Sequence, residues 1–167
     1  DYQGSIIHRS VPGFVIQGGG FTTDSPTLTS TSQLSSVPTD SPVINEFAVS
    51  NTRGTVAMAK LGGDPNSATS QWFVNLADNS ANLDNQNGGF TVFAKILDMA
   101  AADSIAALGR QNLGGAFTDL PVAVGNQLVA FTDVMADATV SGRVYADSNS
   151  NGVFDSETER ISLTLLN

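Results

Sequence analysis

The feature that most constrains the fold is the alternation of short apolar runs with clusters of Gly, Pro, Asn and Asp along most of the chain. The runs are rich in β-branched and aromatic residues, which favour strands, and the clusters favour tight turns between strands. A mainly β, antiparallel fold is therefore predicted. Its expected strands lie near residues 4–9, 14–18, 54–60, 71–75, 90–97 and 127–134.

Two stretches depart from this alternation. Residues 22–42 are dominated by Ser, Thr, Asp and Pro and contain few large apolar side chains, so they predict an irregular surface loop. Residues 98–108 are rich in Ala, their apolar side chains are spaced for one face of a helix, and Gly109 is placed to end that helix. We therefore expect one clear helix, at about residues 98–108.

A change of composition divides the chain into two parts. The 167 residues suffice for one domain with a hydrophobic core. Near Met135 a connector leads into two apolar stretches that are separated by a compact polar loop. We assign residues 1–134 to one domain and residues 135–167 to an acidic extension that is expected to form a β-hairpin. Because the chain begins at Asp1, without Met or a signal-peptide pattern, we expect it to be part of a longer chain.

Charge and residue content argue against several classes of function. Residues 1–134 contain 5 basic and 11 acidic residues and residues 135–167 contain 2 and 5, so the formal net charge of −9 divides into −6 and −3. Both parts would repel a phosphate backbone, so nucleic acid is not expected as a partner. No apolar run approaches the ~20 residues of a membrane-spanning helix, so membrane insertion is not expected. The absence of Cys fits an extracytoplasmic location, whether periplasmic, secreted or at the cell surface.

The residues that usually carry catalysis are sparse. His8 is the single histidine, and no Gly-x-Ser-x-Gly motif supplies a nucleophile, so the sequence does not indicate a hydrolase. Three glycines at residues 18–20 follow an expected strand but precede no Lys-Ser or Lys-Thr pair, so they predict a tight turn rather than a phosphate site. The Phe residues near strand ends have two interpretations, since they can line a ligand site but more often form the core.

Three sequence blocks carry a resemblance to a known family. They are IIHRSVPGFVIQGGGF at residues 6–21, GTVAMAK at 54–60 with SATSQWFVNLADN at 67–79, and LDNQNGGFTVFAKIL at 83–97. In order and spacing these blocks resemble the cyclophilin-type peptidyl-prolyl cis-trans isomerases, especially the bacterial members. The resemblance implies a cyclophilin-like antiparallel β-barrel and an isomerase that accelerates rotation about X-Pro bonds in protein folding. It also implies proline-containing peptides and unfolded proteins as partners, and catalysis without a cofactor.

The resemblance further implies roles for individual residues. Arg9 matches the family's catalytic arginine, and Gln17 matches the glutamine beside it. Neighbouring strand residues point in opposite directions. If Arg9 points into the substrate-binding groove of the family, His8 is therefore expected to face away from that groove and to support the site from behind. Ala59 and Lys60 match the strand that pairs with the substrate backbone. The residues that match substrate-binding positions are Phe14, Val15, Ala59, Lys60, Gln71, Phe73, Leu83 and Phe90.

The first segment of the family pattern is missing. Members of the family begin with two strands and a helix that precede the His-Arg pair, whereas here this pair lies at residues 8–9. The barrel is therefore expected to be incomplete at its N-terminus unless that segment lies upstream in the natural protein. Two other functions stay open, both within a larger bacterial surface protein: a non-catalytic module that binds Pro-containing peptides, and a calcium-stabilised module.

The acidic extension contains a pattern typical of calcium-binding loops. Gly152 stands at the sixth position of a loop that begins at Asp147, where such loops turn sharply. Thr158 stands at the twelfth position, where EF-hand loops use a bidentate Glu, so weak binding of Ca²⁺ is expected. The alternative is an ordinary solvated Asn-Gly turn. The expected ligands, with Val153 acting through its carbonyl, are Asp147, Asn149, Asn151, Val153 and Asp155.

Overall fold

The structure is a computed structural model that describes residues 2–131. The chain divides into two units, Asp1–Val134 and Met135–Asn167. The expected β-hairpin and the calcium-type loop of the second unit lie outside the described residues. Those two expectations, and the module boundary near Met135, stay predictions from the sequence.

The described residues form a mainly β fold, which confirms the predicted class. The strands make three antiparallel sheets, ordered β1-β2-β6-β5-β7, β10-β9-β8 and β3-β4. These sheets are open and do not join into a closed barrel within the described residues. The strands are β1 (Arg9–Val11), β2 (Val15–Gly18), β3 (Phe21–Thr23), β4 (Leu34–Ser36), β5 (Thr55–Met58), β6 (Trp72–Asn75), β7 (Val92–Lys95), β8 (Gly109–Gln111), β9 (Leu120–Ala123) and β10 (Gln127–Leu128).

The observed strands are shorter than the predicted ones, except that the last predicted strand, 127–134, ends outside the described residues. Some observed strands were not predicted. The prediction of an irregular loop at residues 22–42 is wrong in part, because β3 and β4 pair there. The first predicted strand, 4–9, is reduced to isolated bridges at Ser5 and Ile6 before β1 begins. The sequence analysis also missed β8 and β9. Strands of three or four residues are too short to show an apolar alternation, whether polar like β8 or apolar like β9.

The predicted helix is present but shorter than expected. It is α2, Ala100–Ala106, and the Asp98 carboxylate accepts a hydrogen bond from the backbone N–H of Ala100 just before it begins. Gly109 does not end this helix but begins β8, because α2 already stops at its C-cap, Ala107. A second α-helix, α1 (Ser80–Leu83), was not predicted because a single turn carries no helical periodicity.

The five-stranded sheet has an apolar core on each face, as the alternation of side chains along a strand requires. On β6, Phe73 points to one face and Val74 to the other. The face that carries Phe73 holds a cluster made of Val15, Ala57, Phe73 and Leu83. The opposite face, against which α2 packs, holds Ile7, Ile16, Val56, Val74, Leu76 and Ala102.

Within residues 2–131, the α2 face of the sheet is only partly covered. An apolar groove of about 420 Å³ lies there, between α2 and the side chains of Ile7, Trp72 and Phe131. Phe93 on β7 borders this groove and is 55% exposed. Among residues 2–131, no helix is long and apolar enough to cross a membrane. The opposite face, around Phe73, carries the candidate site.

Candidate active site

A cavity of about 240 Å³, which we call the central cavity, opens on the Phe73 face of the sheet. With the exception of Gln71, every residue that the sequence predicted for catalysis or substrate binding lines it. Gln86 also lines the cavity and was not predicted. The lining residues are Arg9, Phe14, Val15, Gln17, Ala59, Lys60, Phe73, Leu83, Gln86 and Phe90.

A side cavity of about 310 Å³ adjoins the central cavity, and Gln17, Ala59 and Lys60 line both. Gln71, which is absent from the central cavity, lines the side cavity. The structure therefore places the predicted groove residues along one continuous depression that runs over β2, β5 and β6.

The floor of the central cavity is buried and apolar. Val15, Phe73 and Leu83 are each less than 5% exposed, and they lie on β2, β6 and α1. The Phe90 ring meets the Phe73 ring edge to face, with 5.6 Å between centroids and an interplanar angle of 74°. Such aromatic pairs add to the free energy gained from burial alone. The cavity thus has walls suited to a small apolar ring.

Arg9 supplies positive charge at the rim. On β1 it stands opposite Gln17 of β2. Its Nε lies 3.9 Å from a carboxylate oxygen of Asp119, and its side chain is 35% exposed. A partly exposed pair at this distance is a weak interaction, and a guanidinium carries five N–H donors. The other donors of Arg9 can therefore serve a ligand in the central cavity.

Two amide side chains link the central and side cavities. The Nε2 of Gln17 donates a hydrogen bond of 2.9 Å to the Oε1 of Gln71. The glycine run makes room for this pair, because a Cβ at Gly20 would stand 2.8 Å from the side-chain amide carbon of Gln71. Gly19 has a φ of +77°, which side-chain-bearing residues rarely adopt, and a Cβ there would strike the Ser70 carbonyl. The glycine run thus allows a tight turn, as predicted, and also lets the backbone approach Ser70 and Gln71 closely.

Buried amides hold the apolar walls in place, and the sequence analysis missed them. Asn75 donates to the Oδ1 of Asn51 and to the Oγ1 of Thr55. Asn79, just before α1, donates to the Oδ1 of Asn75 and to the backbone carbonyl of Phe14. Buried polar groups must be paired in this way. The network therefore ties Phe14 and the start of α1 to the sheet.

His8 lies behind the site and does not line either cavity. Its ring is 2% exposed and meets the ring of Phe21 nearly at right angles, with 5.0 Å between centroids. Its Nδ1 has no hydrogen-bond partner among residues 2–131. Burial, with a smaller contribution from the charge of Arg9, lowers the pKa of His8 from 6.5 to about 4. The imidazole is therefore neutral at physiological pH.

The buried His8 is expected to make the protein sensitive to mild acid. In the unfolded chain this histidine takes up a proton near pH 6.5, whereas in the folded chain it does so only near pH 4. The unfolded state therefore binds more protons between these values, and stability falls as the pH drops through that window, by about 3 kcal/mol in total. Urea unfolding at pH 7 and pH 4.5 measures the loss.

The control for this effect is the variant His8→Leu, which removes the titrating ring. We expect its stability to change much less between pH 7 and pH 4.5 than that of the parent. Hydrogen bonds from Ser80 lower the pKa of Asp78, so this carboxylate loses its contribution only at still lower pH. An equal loss of stability in the parent and in His8→Leu would contradict the assignment to His8.

No cluster of three or more His, Cys, Asp or Glu side chains that could hold a metal ion occurs among residues 2–131. The predicted calcium ligands, from Asp147 to Asp155, lie outside these residues. The polar groups that line the central cavity are the guanidinium of Arg9, the ammonium of Lys60 and the amides of Gln17 and Gln86, beside its apolar walls.

Comparison with known proteins places the chain in a family. Residues 1–123 match the sequence model described as cyclophilin type peptidyl-prolyl cis-trans isomerase/CLD. The peptidyl-prolyl cis-trans isomerase of Acinetobacter baylyi is 40% identical over 117 residues, which are 68% of this chain and 57% of the relative. Peptidyl-prolyl cis-trans isomerase A of Dickeya dadantii is 41% identical over 118 residues, which are 68% and 56%. This chain thus spans little more than half the length of these relatives.

A solved structure shows the same fold. It is a cyclophilin type peptidyl-prolyl cis-trans isomerase of Cryptosporidium parvum, determined in the presence of the dipeptide Ala-Pro. The TM-score is 0.50 at 18% identity, and the similarity covers 78% of this chain and 73% of that chain. The family match covers all the residues that line the central cavity. The chain therefore belongs to the cyclophilin-type peptidyl-prolyl cis-trans isomerase family.

Proposed function

We propose that this protein is a peptidyl-prolyl cis-trans isomerase that accelerates rotation about X-Pro bonds in flexible or unfolded proteins. The observation that carries this proposal is the central cavity, in which apolar walls lie directly beside the guanidinium of Arg9. The named relatives support it, and the Cryptosporidium relative, determined in the presence of Ala-Pro, supports a proline-containing ligand.

The chemistry requires neither an acid-base pair nor a covalent intermediate. The barrier to prolyl rotation is ~18–20 kcal/mol because the C–N bond loses its partial double-bond character as it twists. In the proposed mechanism, Phe73, Leu83 and Val15 hold the proline ring. The residue before the proline then rotates against that fixed ring. An anchored ring removes the competing motion of the whole peptide, so binding energy is directed at the twisting bond.

Arg9 would act on the twisted state. When resonance is lost, the prolyl nitrogen becomes pyramidal and regains a basic lone pair, to which a guanidinium N–H can donate. This interaction is stronger in the twisted state than in either planar ground state, which is the condition for lowering the barrier. The amides of Gln17 and Gln71 would hold the peptide backbone beside the ring.

The test is direct measurement of cis-trans exchange by NMR on a short peptide that contains one X-Pro bond. The expected result is an exchange rate that rises in proportion to protein concentration without added metal or cofactor. The experiment uses this chain and, in parallel, the chain in its natural sequence context, because only part of the relatives' length is matched. Binding of the peptide without faster exchange in either preparation would contradict the isomerase and favour the non-catalytic Pro-peptide-binding module.

Two further proposals rest on the sequence alone. An extracytoplasmic location is proposed from the absence of Cys, and a weak Ca²⁺ site from the loop that begins at Asp147. Neither is needed for the isomerase reaction. A calcium-stabilised module within a larger bacterial surface protein is accordingly compatible with isomerase activity in residues 1–134.

A further inference from the structure

Lys60 is the only lysine that lines the central cavity, and its position suggests at first a contact with substrate. Its ammonium group is already occupied, however. The Nζ of Lys60 donates to the Oδ1 of Asn45 at 3.1 Å, to the backbone carbonyl of Asn87 at 2.8 Å and to the backbone carbonyl of Gly89. An ammonium has three N–H donors. All three are used within the protein.

We propose that Lys60 is a positioning residue that clamps the turn at residues 87–89, and with it the Phe90 wall of the central cavity, and that it does not bind substrate through its charge. The inference rests on the proposed function only where it concerns catalysis. The clamp itself is a feature of the protein without ligand and does not depend on the proposed function.

The turn that Lys60 holds has an unusual backbone. Asn87, Gly88 and Gly89 have φ values of 52°, 75° and 74°, all in the left-handed region. Asn87 bears a side chain, but Asn adopts this conformation more readily than most other side-chain-bearing residues, so the sequence suits this turn. A Cβ on Gly89 would strike the ring of Phe47, so the turn is also closely packed. Two carbonyls of this turn point at one ammonium group, and without it they would lack that partner.

Asn45 completes the clamp from a distant part of the chain. Its Nδ2 donates to the carbonyl of Gly88 at 2.7 Å, and its Oδ1 accepts from the Oγ1 of Thr91 at 2.9 Å as well as from Lys60. The segment that follows β5, the turn and the segment before β7 are thus joined through one lysine and one asparagine. Hydrogen bonds in which the donor is charged are about twice as strong as neutral ones.

The clamp reaches the substrate site through Phe90. The Nζ of Lys60 lies 4.6 Å from the centroid of the Phe90 ring, close enough for a cation–π interaction. The same ring packs edge to face on Phe73 in the cavity floor. If the ammonium is removed, the turn loosens and the Phe90 wall loses its fixed position. Peptide binding should therefore suffer more than the rotation step itself.

The test compares Lys60→Met with Lys95→Met, the same substitution at an exposed lysine of β7 that lines none of these cavities. We expect Lys60→Met to raise KM for a Pro-containing peptide by about tenfold, the effect of losing a charged hydrogen bond, with kcat changed less than about threefold. Lys95→Met should resemble the parent. The increase should be equal for peptides with Glu, Ala or Lys before the proline.

A readout without substrate isolates the clamp from the reaction. The amide of Gly89 donates to the carbonyl of Gln86, so its hydrogen exchange reports opening of the turn. We expect this exchange to be at least about tenfold faster in Lys60→Met than in the parent. The amide of Ile96, bonded to Gly54, serves as an internal reference for global unfolding. Asn45→Ala should also accelerate Gly89 exchange, although it leaves the charge of Lys60 in place.

Parent-like exchange of Gly89 in both variants would overturn the clamp. The clamp would also be overturned if Lys60→Met raised KM only for peptides with Glu before the proline, because Lys60 would then be a substrate ligand. If the parent neither binds nor isomerises the peptides, the proposed function fails. Hydrogen exchange of the Gly89 amide still decides whether Lys60 clamps the turn.

Discussion

Replacing Arg9 by alanine is expected to lower kcat/KM for a Pro-containing peptide by about 10²–10³, the usual effect of removing one preorganised donor to a transition state. The loss should fall on kcat, because the guanidinium meets a basic prolyl nitrogen only in the twisted state. Stability should change by less than about 1 kcal/mol, since the Arg9 side chain is 35% exposed and its ion pair with Asp119 spans 3.9 Å. Exchange NMR and urea unfolding measure the two effects.

Arg110→Ala is the matched control, because it removes the same charge from an exposed position on β8 that lines neither the central nor the side cavity. It should leave kcat/KM close to that of the parent. Arg9→Lys should recover only part of the activity, since an ammonium lacks the planar fork of a guanidinium. A parent-like kcat in Arg9→Ala would remove Arg9 from the mechanism.

Replacing Phe73 by alanine is expected to lower the free energy of unfolding by about 3–5 kcal/mol and to weaken peptide binding as well. The ring is 4% exposed and belongs to the cluster with Val15, Ala57 and Leu83, so its removal leaves a cavity in the core. The same ring forms the floor of the central cavity and supports Phe90. Urea unfolding gives the first effect, and peptide titration under folding conditions gives the second.

Phe93→Ala provides the comparison for this prediction, because it makes the same change at a residue that is 55% exposed. We expect it to cost much less stability and to leave peptide binding unchanged, since Phe93 borders the groove on the other face of the sheet. Phe73→Leu keeps an apolar side chain and should fold where the alanine variant is marginal. Unchanged peptide affinity in folded Phe73→Leu would contradict a role for the ring in the substrate site.

The sequence identified the residues that line the central cavity more accurately than it placed the strands around them. The blocks that contain Arg9 and Phe73 are long, ordered and similar to one family, and both residues line the central cavity. Pairing of β3 with β4 could not be predicted, because their three-residue strands are mostly polar and their register depends on contacts across residues 24–33. Whether such short segments form strands depends on their contacts with the rest of the fold.

Side-chain roles that depend on partners distant in the sequence could not be predicted either. Lys60 was assigned from its place in a motif, but its hydrogen bonds run to Asn45 and to the carbonyls of Asn87 and Gly89. Those partners lie 15 to 29 residues away along the chain. A sequence pattern reports spacing within one element, whereas these contacts arise only when a left-handed turn brings two carbonyls to Lys60, in the segment after β5.

The apolar groove beside α2 also bears on how the folded state is recognised in solution. Dyes such as ANS fluoresce on exposed apolar surface, and this property is commonly used to identify molten globules. Among residues 2–131, a groove of about 420 Å³ with apolar walls offers the dye such a surface without any loss of packing. Near-UV circular dichroism is the sounder criterion, because Trp72 lies edge-on to Phe131 at 5.8 Å and gives a signal only while that packing persists.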